Sequence, residues 1–235
     1  MGADVDALLR EAADLGVVLP RPVAAAMLSY LARVQGAPFN LSGIRDPEAG
    51  RRKHLVDAVS ALPLAVPAPG ERCLDIGSGG GFPGVPLAIA CPQVEMHLLD
   101  ATAKKLSFIE RAAAELGVAN VRIVHGRAEE LGRDPAWRER YDCVLARAVA
   151  RLPLLLEYAL PFCRVGGRFI AFKGGGAQAE IAEAGRALHR LGGAWGPVRT
   201  LVLPEGTARV LVRVEKVRPT PAGLPRTGAA LQRPL

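Results

Sequence analysis

Cys73-Leu74-Asp75-Ile76-Gly77-Ser78-Gly79-Gly80-Gly81-Phe82-Pro83-Gly84 takes an apolar strand into a carboxylate and then into five glycines within eight residues. Glycine turns through positive φ without steric cost and lets a ligand approach the main chain with no Cβ in the way, so a strand ending like this marks a ligand loop. Around the loop, strand patterns alternate with helix patterns. The spacing predicts strands over residues 73–76, 94–99, 121–124, 141–146 and 168–172, and helices over 83–90, 103–116, 128–131, 153–162 and 177–191. Such alternation implies a parallel sheet covered by helices on both faces. Two further β-rich runs, 198–203 and 209–217, are joined only by Pro204-Glu205-Gly206-Thr207, which is too short for a crossover and predicts an antiparallel hairpin. The expected fold class is α/β, a mostly parallel seven-stranded sheet closed by a C-terminal hairpin.

Upstream, Val5, Leu8, Leu9, Ala12 and Ala13, then Val23, Met27, Leu28, Leu31 and Val34, recur at three and four and predict two amphipathic helices. Asp46 and Pro47 open a third, expected over residues 48–62. The chain therefore divides into an N-terminal helical extension (1–66), a domain around the glycine loop (67–217) and a basic, proline-containing tail (218–235). The tail reads as extended, either a disordered end or an arm on nucleic acid.

Half of the 235 residues are hydrophobic, enough for one sizeable core. No apolar run reaches the roughly 18 residues of a membrane span, and the start, Met1-Gly2-Ala3-Asp4-Val5-Asp6, is acidic where a signal peptide is basic. A cytoplasmic monomer without a membrane partner is expected. Cys73, Cys91, Cys143 and Cys163 have no CxxC spacing, so neither a metal site nor a disulfide framework is expected. A net charge of +7 and a pI near 9.7 favour a polyanionic partner.

Two registers of the loop compete. Gly79-x-Gly81-x-x-Gly84 formally matches a dinucleotide fingerprint, whereas Asp75-x-Gly77-x-Gly79-x-Gly81 places an acid ahead of the glycines. Asp100, ending the second strand, serves ribose hydroxyls in either. Asp75 separates them. A carboxylate facing the loop repels a pyrophosphate but complements the ammonium of S-adenosylmethionine, so a methyl donor is favoured over a nicotinamide dinucleotide. Gly126-Arg127-Ala128-Glu129-Glu130 follows the third strand; its acids suit either an ordinary helix start or the adenine edge of the cofactor. Arg147 leaves the fourth strand at the carboxyl edge, where open α/β sheets place their chemistry. Arg51-Arg52-Lys53-His54 is either a solvated basic face or a phosphate-contacting patch.

Together these residues resemble the small-subunit ribosomal RNA guanine-N7 methyltransferases, the glucose-inhibited division protein B family. The likeness runs through Phe39-Asn40-Leu41-Ser42, Lys53-His54-Leu55-x-Asp57, the glycine block through Ala88, Leu98-Leu99-Asp100, Lys104-Lys105, His125-Gly126-Arg127-Ala128-Glu129, Ala146-Arg147-Ala148, Lys173-Gly174 and Glu215-Lys216-Val217-x-Pro219-Thr220. Phe82-Pro83-Gly84 is its most specific part. The resemblance implies a Rossmann-like class I methyltransferase, S-adenosylmethionine as donor, and one guanine N7 in 16S ribosomal RNA of the small ribosomal subunit as acceptor. It further implies a cofactor shell of Gly77, Phe82, Asp100, Ala128, Glu129 and Arg147, to which the electrostatic argument adds Asp75 and the loop geometry Gly79. Arg147 and Lys173 are expected to orient the base through O6, and Arg51, Arg52, Lys53, His54, Lys104 and Lys105 to face RNA.

Overall fold

The computed structural model describes residues 2–233 and residue 235. Helices α1 (Gly2–Asp14) and α2 (Arg21–Gln35) bury most of the apolar stripes their periodicity predicts, among them Leu8, Ala12, Met27 and Leu31, with Tyr30 buried beside them, while Ala13 is exposed. The third helix departs from expectation. After α3 (Pro47–Gly50), whose first turn is capped by the Asp46 carboxylate accepting from Ala49 N at 2.7 Å, the chain widens into a π-helical stretch, Arg51–Val56, before α4 (Asp57–Val59) and α5 (Leu62–Ala65). The uniform helix expected over 48–62 is thus corrected. Wider turns regroup the side chains sharing a face: Arg51 and Arg52 reach Glu11, while His54 and Asp57 reach Arg147 on the sheet.

The seven strands are β1 (Arg72–Ile76), β2 (Glu95–Asp100), β3 (Val121–His125), β4 (Tyr141–Arg147), β5 (Cys163–Lys173), β6 (Gly193–Val202) and β7 (Ala208–Lys216). They lie in the order β3-β2-β1-β4-β5-β7-β6, parallel through β5, with β7 antiparallel between β5 and β6. The connecting helices are α6 (Gly84–Ala90), α7 (Ala103–Glu115), α8 (Ala128–Leu131), α9 (Leu152–Ala159) and α10 (Ala177–Arg190). Strand order reverses between β1 and β4, so the loops leaving their carboxyl ends diverge and open a crevice there.

Strand alternation divides the core cleanly. Cys73, Leu98, Cys143, Leu145, Ile170, Phe172 and Leu211 pack under α1, α2, α6 and α7; Leu74, Ile76, Leu99, Val144, Ala146, Phe169, Ala171 and Val212 pack under α9 and α10. The same period of two sends Asp75, Arg147 and Arg209 toward the N-terminal helices and Lys173 to the opposite face.

The tail is not an extended arm. Leu224 and Leu235 are buried in the second core, and Arg138 donates to the carbonyls of Leu224, Thr220 and Pro221. The Arg226 guanidinium grips the fully buried carboxylate of Glu157, with Nη2 to Oε2 at 2.8 Å. Two guanidinium-held anchors and buried leucines supply what the tail's composition alone lacks.

Candidate active site

The loop after β1 carries left-handed backbone at Gly77 (φ +68), Gly79 and Gly81. At Gly77 a Cβ would stand 2.7 Å from Val149 Cγ2, whereas at Gly79 it would meet nothing nearer than 3.8 Å, so the loop is open there. The N-terminal helices hold it from behind: Tyr30 Oη donates to Gly80 O at 2.9 Å. Asp100 ties the loop to β2, accepting from Gly79 N at 2.9 Å through Oδ2 and from Thr102 N at 2.8 Å through Oδ1. Ala128 and Glu129 lie half-buried in the first turn of α8, drawn to the same edge by the Gly126 N–H on Asp100 O.

Asp75 is fully buried. Its Oδ2 accepts from Gly84 N at 2.9 Å, while Oδ1, like the nearby buried Ser78 Oγ, has no partner among the described residues. Burial pushes the carboxyl up to about 7, against the Gly84 N–H bond and the charge of Arg147, which hold it down. A buried acceptor and hydroxyl left without partners beside an open glycine loop suit the ammonium and carboxylate of an amino acid. The residues therefore fit S-adenosylmethionine.

The ring of Phe82 is closely covered by its neighbours: His54 stacks on it at 4.4 Å with planes 7° apart, Tyr30 meets it edge-on, and the Arg147 guanidinium lies 5.8 Å from its centroid.

Next to the loop, a cavity of about 470 Å³ opens at the carboxyl ends of β4 and β5, lined by His54, Arg147, Lys173, Glu180 and Arg209 among others. Its keystone is Asp57, a residue with no solvent exposure. Arg147 Nη1 donates to its Oδ2 at 2.9 Å; Arg209 donates to Oδ1 through Nε at 2.6 Å and to Oδ2 through Nη2 at 2.9 Å. Arg147 also donates to Lys53 O, at 2.9 Å, and Arg147 Nη2 lies 3.2 Å from His54 Nδ1. Since a guanidinium only donates, His54 Nδ1 must accept, which leaves its Nε2–H to donate to Ser42 Oγ at 2.6 Å. Burial, together with the charge of Arg147, pushes His54 down to about 4, in keeping with that neutral tautomer. Lys173 Nζ sits between Ala150 O at 3.0 Å and Glu180 Oε2 at 2.7 Å.

Among the basic residues predicted to face RNA, Arg51 requires correction. It is 6% exposed and bound to Glu11 through Nε at 2.8 Å and Nη2 at 3.0 Å, so no phosphate reaches it. Arg52 is half-buried and also paired, with Glu11 and Glu48. His54, being neutral, brings no charge to a phosphate. Lys53 and Lys104 are exposed and Lys105 half-buried; Lys104 Nζ rests 4.3 Å above the Phe39 ring. Sequence reasoning missed Asp57 and Arg209 as site residues. Each had a signal: Asp57 is an acid inside the apolar run Leu55-Val56-Asp57-Ala58-Val59, and Arg209 is two residues from Leu211 on one face of β7.

The seven-stranded order, the acid-led glycine loop and the crevice between β1 and β4 define a class I, S-adenosylmethionine-dependent methyltransferase fold. Solved structures share it: a branched-chain polyamine synthase mutein from Thermus thermophilus aligns with a TM-score of 0.62 at 19% identity over 86% of this chain and 65% of its own. A mutant 16S rRNA (adenine(1408)-N(1))-methyltransferase from Catenulisporales acidiphilia, with cosubstrate SAM, aligns at 0.52 and 18% over 68% and 91%. A family model described as GidB, rRNA small subunit methyltransferase G, matches residues 24–200, and the chain belongs to that family. It is 46% identical to the Ribosomal RNA small subunit methyltransferase G of Desulfitobacterium hafniense (strain Y51) over 198 residues, 83% of this chain and 82% of that protein. Against the protein of the same name from Roseiflexus castenholzii (strain DSM 13941 / HLO8) the identity is 40% over 98% and 100%.

Proposed function

We propose that this protein transfers a methyl group from S-adenosylmethionine to N7 of one guanine in 16S ribosomal RNA. The observation that carries the reading is the adjacency of two sites: an amino-acid-accepting glycine loop with an unpartnered buried Asp75 Oδ1, and a cationic cavity at the ends of β4 and β5. The cofactor supplies an electrophilic methyl carbon. Guanine N7 carries an in-plane lone pair and no proton, so no general base is needed, and a neutral His54 held by Arg147 is in keeping with that requirement. What the chain must supply is alignment.

Asp100 and the Gly77–Gly81 backbone hold the nucleoside half, with Ala128 and Glu129 along the adenine edge. Asp75 takes the ammonium, and Arg147 borders both sites. Three of the five N–H groups of the Arg147 guanidinium are engaged by Lys53 O, Asp57 and His54. The rest have no hydrogen-bond partner among the described residues and orient the base at O6, with Lys173 beside it. Lys53, Lys104 and Lys105 meet the phosphate backbone. No helix among the described residues is long and apolar enough to cross a membrane. A cytoplasmic monomer acting on the small subunit is in keeping with a ribosomal RNA substrate.

Mass spectrometry of 16S RNA from cells with and without the gene tests the reading. Loss of a single 7-methylguanine is the expected outcome; an unchanged 7-methylguanine content overturns it.

A further inference from the structure

Two carboxylates line the cavity beside the glycine loop, and they differ in what they have left to offer. Both oxygens of Asp57 are engaged by Arg147 and Arg209. Glu180, near the start of α10, engages only Oε2, which accepts from Leu152 N at 2.6 Å and pairs with Lys173 Nζ at 2.7 Å. Its Oε1 has no partner among the described residues. The Glu180 side chain is 19% exposed, and the residue borders the same cavity as Arg147 and Lys173. Burial alone would favour the protonated acid, but Lys173 and the Leu152 N–H hold the carboxyl below its ordinary value, so Oε1 is an acceptor at neutral pH.

Among the side chains lining this cavity the other hydrogen-bonding groups are donors or are already paired. A base bound there must therefore present acceptors to Arg147 and Lys173 and donors to Glu180. Guanine does so: O6 and N7 accept, and N1–H with the exocyclic amine donates along the adjoining edge. Adenine presents an amine where guanine has O6, and so sets donor against donor at the cations.

We infer that Glu180 reads the N1–H and amine edge of the target guanine through Oε1, while Lys173 and Leu152 N–H fix its other oxygen. This rests on the function proposed above. The carboxylate is a specificity determinant: it touches the base but takes no proton from it, since N7 attack releases none at that edge. In Glu180→Gln the amide oxygen stays with Lys173 and Leu152 N–H, both donors, and the amide NH2 turns to the cavity, where it opposes the donors of guanine.

The test uses the full-length protein and small-subunit RNA ligated to carry guanosine, inosine or 1-methylguanosine at the mapped target. Wild type is expected to lose about 10- to 100-fold in kcat/KM on at least one analogue, as expected for loss of a specific base contact. Glu180→Gln is expected to lose a comparable factor on guanosine and to treat all three bases within about threefold, with a cooperative thermal transition retained and S-adenosylhomocysteine binding unchanged. A purely structural role would lower activity on all three bases alike and preserve the wild-type discrimination, which overturns the inference. Wild type using all three equally overturns it too. Absence of methyl transfer to guanosine RNA by wild type would instead bring down the functional reading itself, a result separable from both.

Discussion

Asp75 and Asp57 are both carboxylates without solvent exposure beside the same crevice, yet they are built to opposite ends. Asp57 is saturated: two guanidiniums, Arg147 and Arg209, converge on it from strands β4 and β7. Asp75 is left short, with one backbone N–H and one oxygen unpartnered, and burial pushes it up to about 7. The difference teaches that burial by itself says little about a carboxylate's role. A satisfied buried acid organises its neighbours; an unsatisfied one is waiting for a cation.

The comparison is most exposed to failure at Asp57. Asp57→Ala leaves two nearly buried guanidiniums facing each other, and breaking such a buried pair costs about 3–5 kcal/mol. Urea unfolding should show a loss of that order, and a change below about 1 kcal/mol would mean the convergence is incidental. Asp75 should behave the other way. With a folded pKa of about 7 against an ordinary value of 3.8, the folded state holds the proton more tightly than the unfolded chain. Stability attributable to this residue is therefore full below about pH 4 and falls as pH rises toward 7, a loss on the order of a few kcal/mol. Asp75→Asn removes that fall, so the variant should gain on wild type between pH 4 and pH 8 in thermal unfolding. Calorimetry should show the same variant binding S-adenosylhomocysteine about 10- to 100-fold more weakly, the scale of a charge-assisted bond. A variant that gains stability and keeps affinity would take Asp75 out of the cofactor site.

Smaller effects sharpen the contrast between paired and free cations. Arg51→Ala is expected to cost about 1–3 kcal/mol of stability by stripping a charged partner from Glu11, whose own burial disfavours ionisation while Arg51 and Arg52 hold it ionised. RNA binding should keep its salt dependence in that variant. Lys53→Ala and Lys104→Ala should do the reverse, leaving unfolding unchanged and each lowering the slope of log affinity against log salt by about one. An unchanged slope in both lysine variants would move the RNA contact elsewhere.

Which of these features the residues announce depends on how far their cause reaches along the chain. The glycine loop, Asp100 at the end of β2 and the alternation of strand with helix are local signals, and the sheet follows from them because crossover handedness leaves few topologies. Several strand ends shift, β5 and β6 most, beginning at Cys163 and Gly193 where the pattern predicts starts at residues 168 and 198. Asp57 and Arg209 acquire their meaning from a contact 152 residues apart in sequence, which no window can register. Arg51 and the tail depart from expectation for one shared reason. Charge shows in a sequence, but the partner that cancels it, Glu11 for Arg51 and Glu157 for Arg226, lies 40 and 69 residues away.

The π-helical stretch Arg51–Val56 carries a consequence for how this region can vary between relatives. A π turn closes from residue i to i+5 where an α turn closes from i to i+4, so it absorbs about one extra residue without turning the helix before it against the helix after it. Removing one residue here, and so restoring ordinary turns, would keep both flanks nearly in phase and take one side chain out of the segment that reaches Glu11 at one end and Arg147 at the other. A homologue one residue shorter between Asp46 and Asp57 should therefore carry an ordinary α-helix here and keep its Asp57 contact while losing one of the basic partners of Glu11.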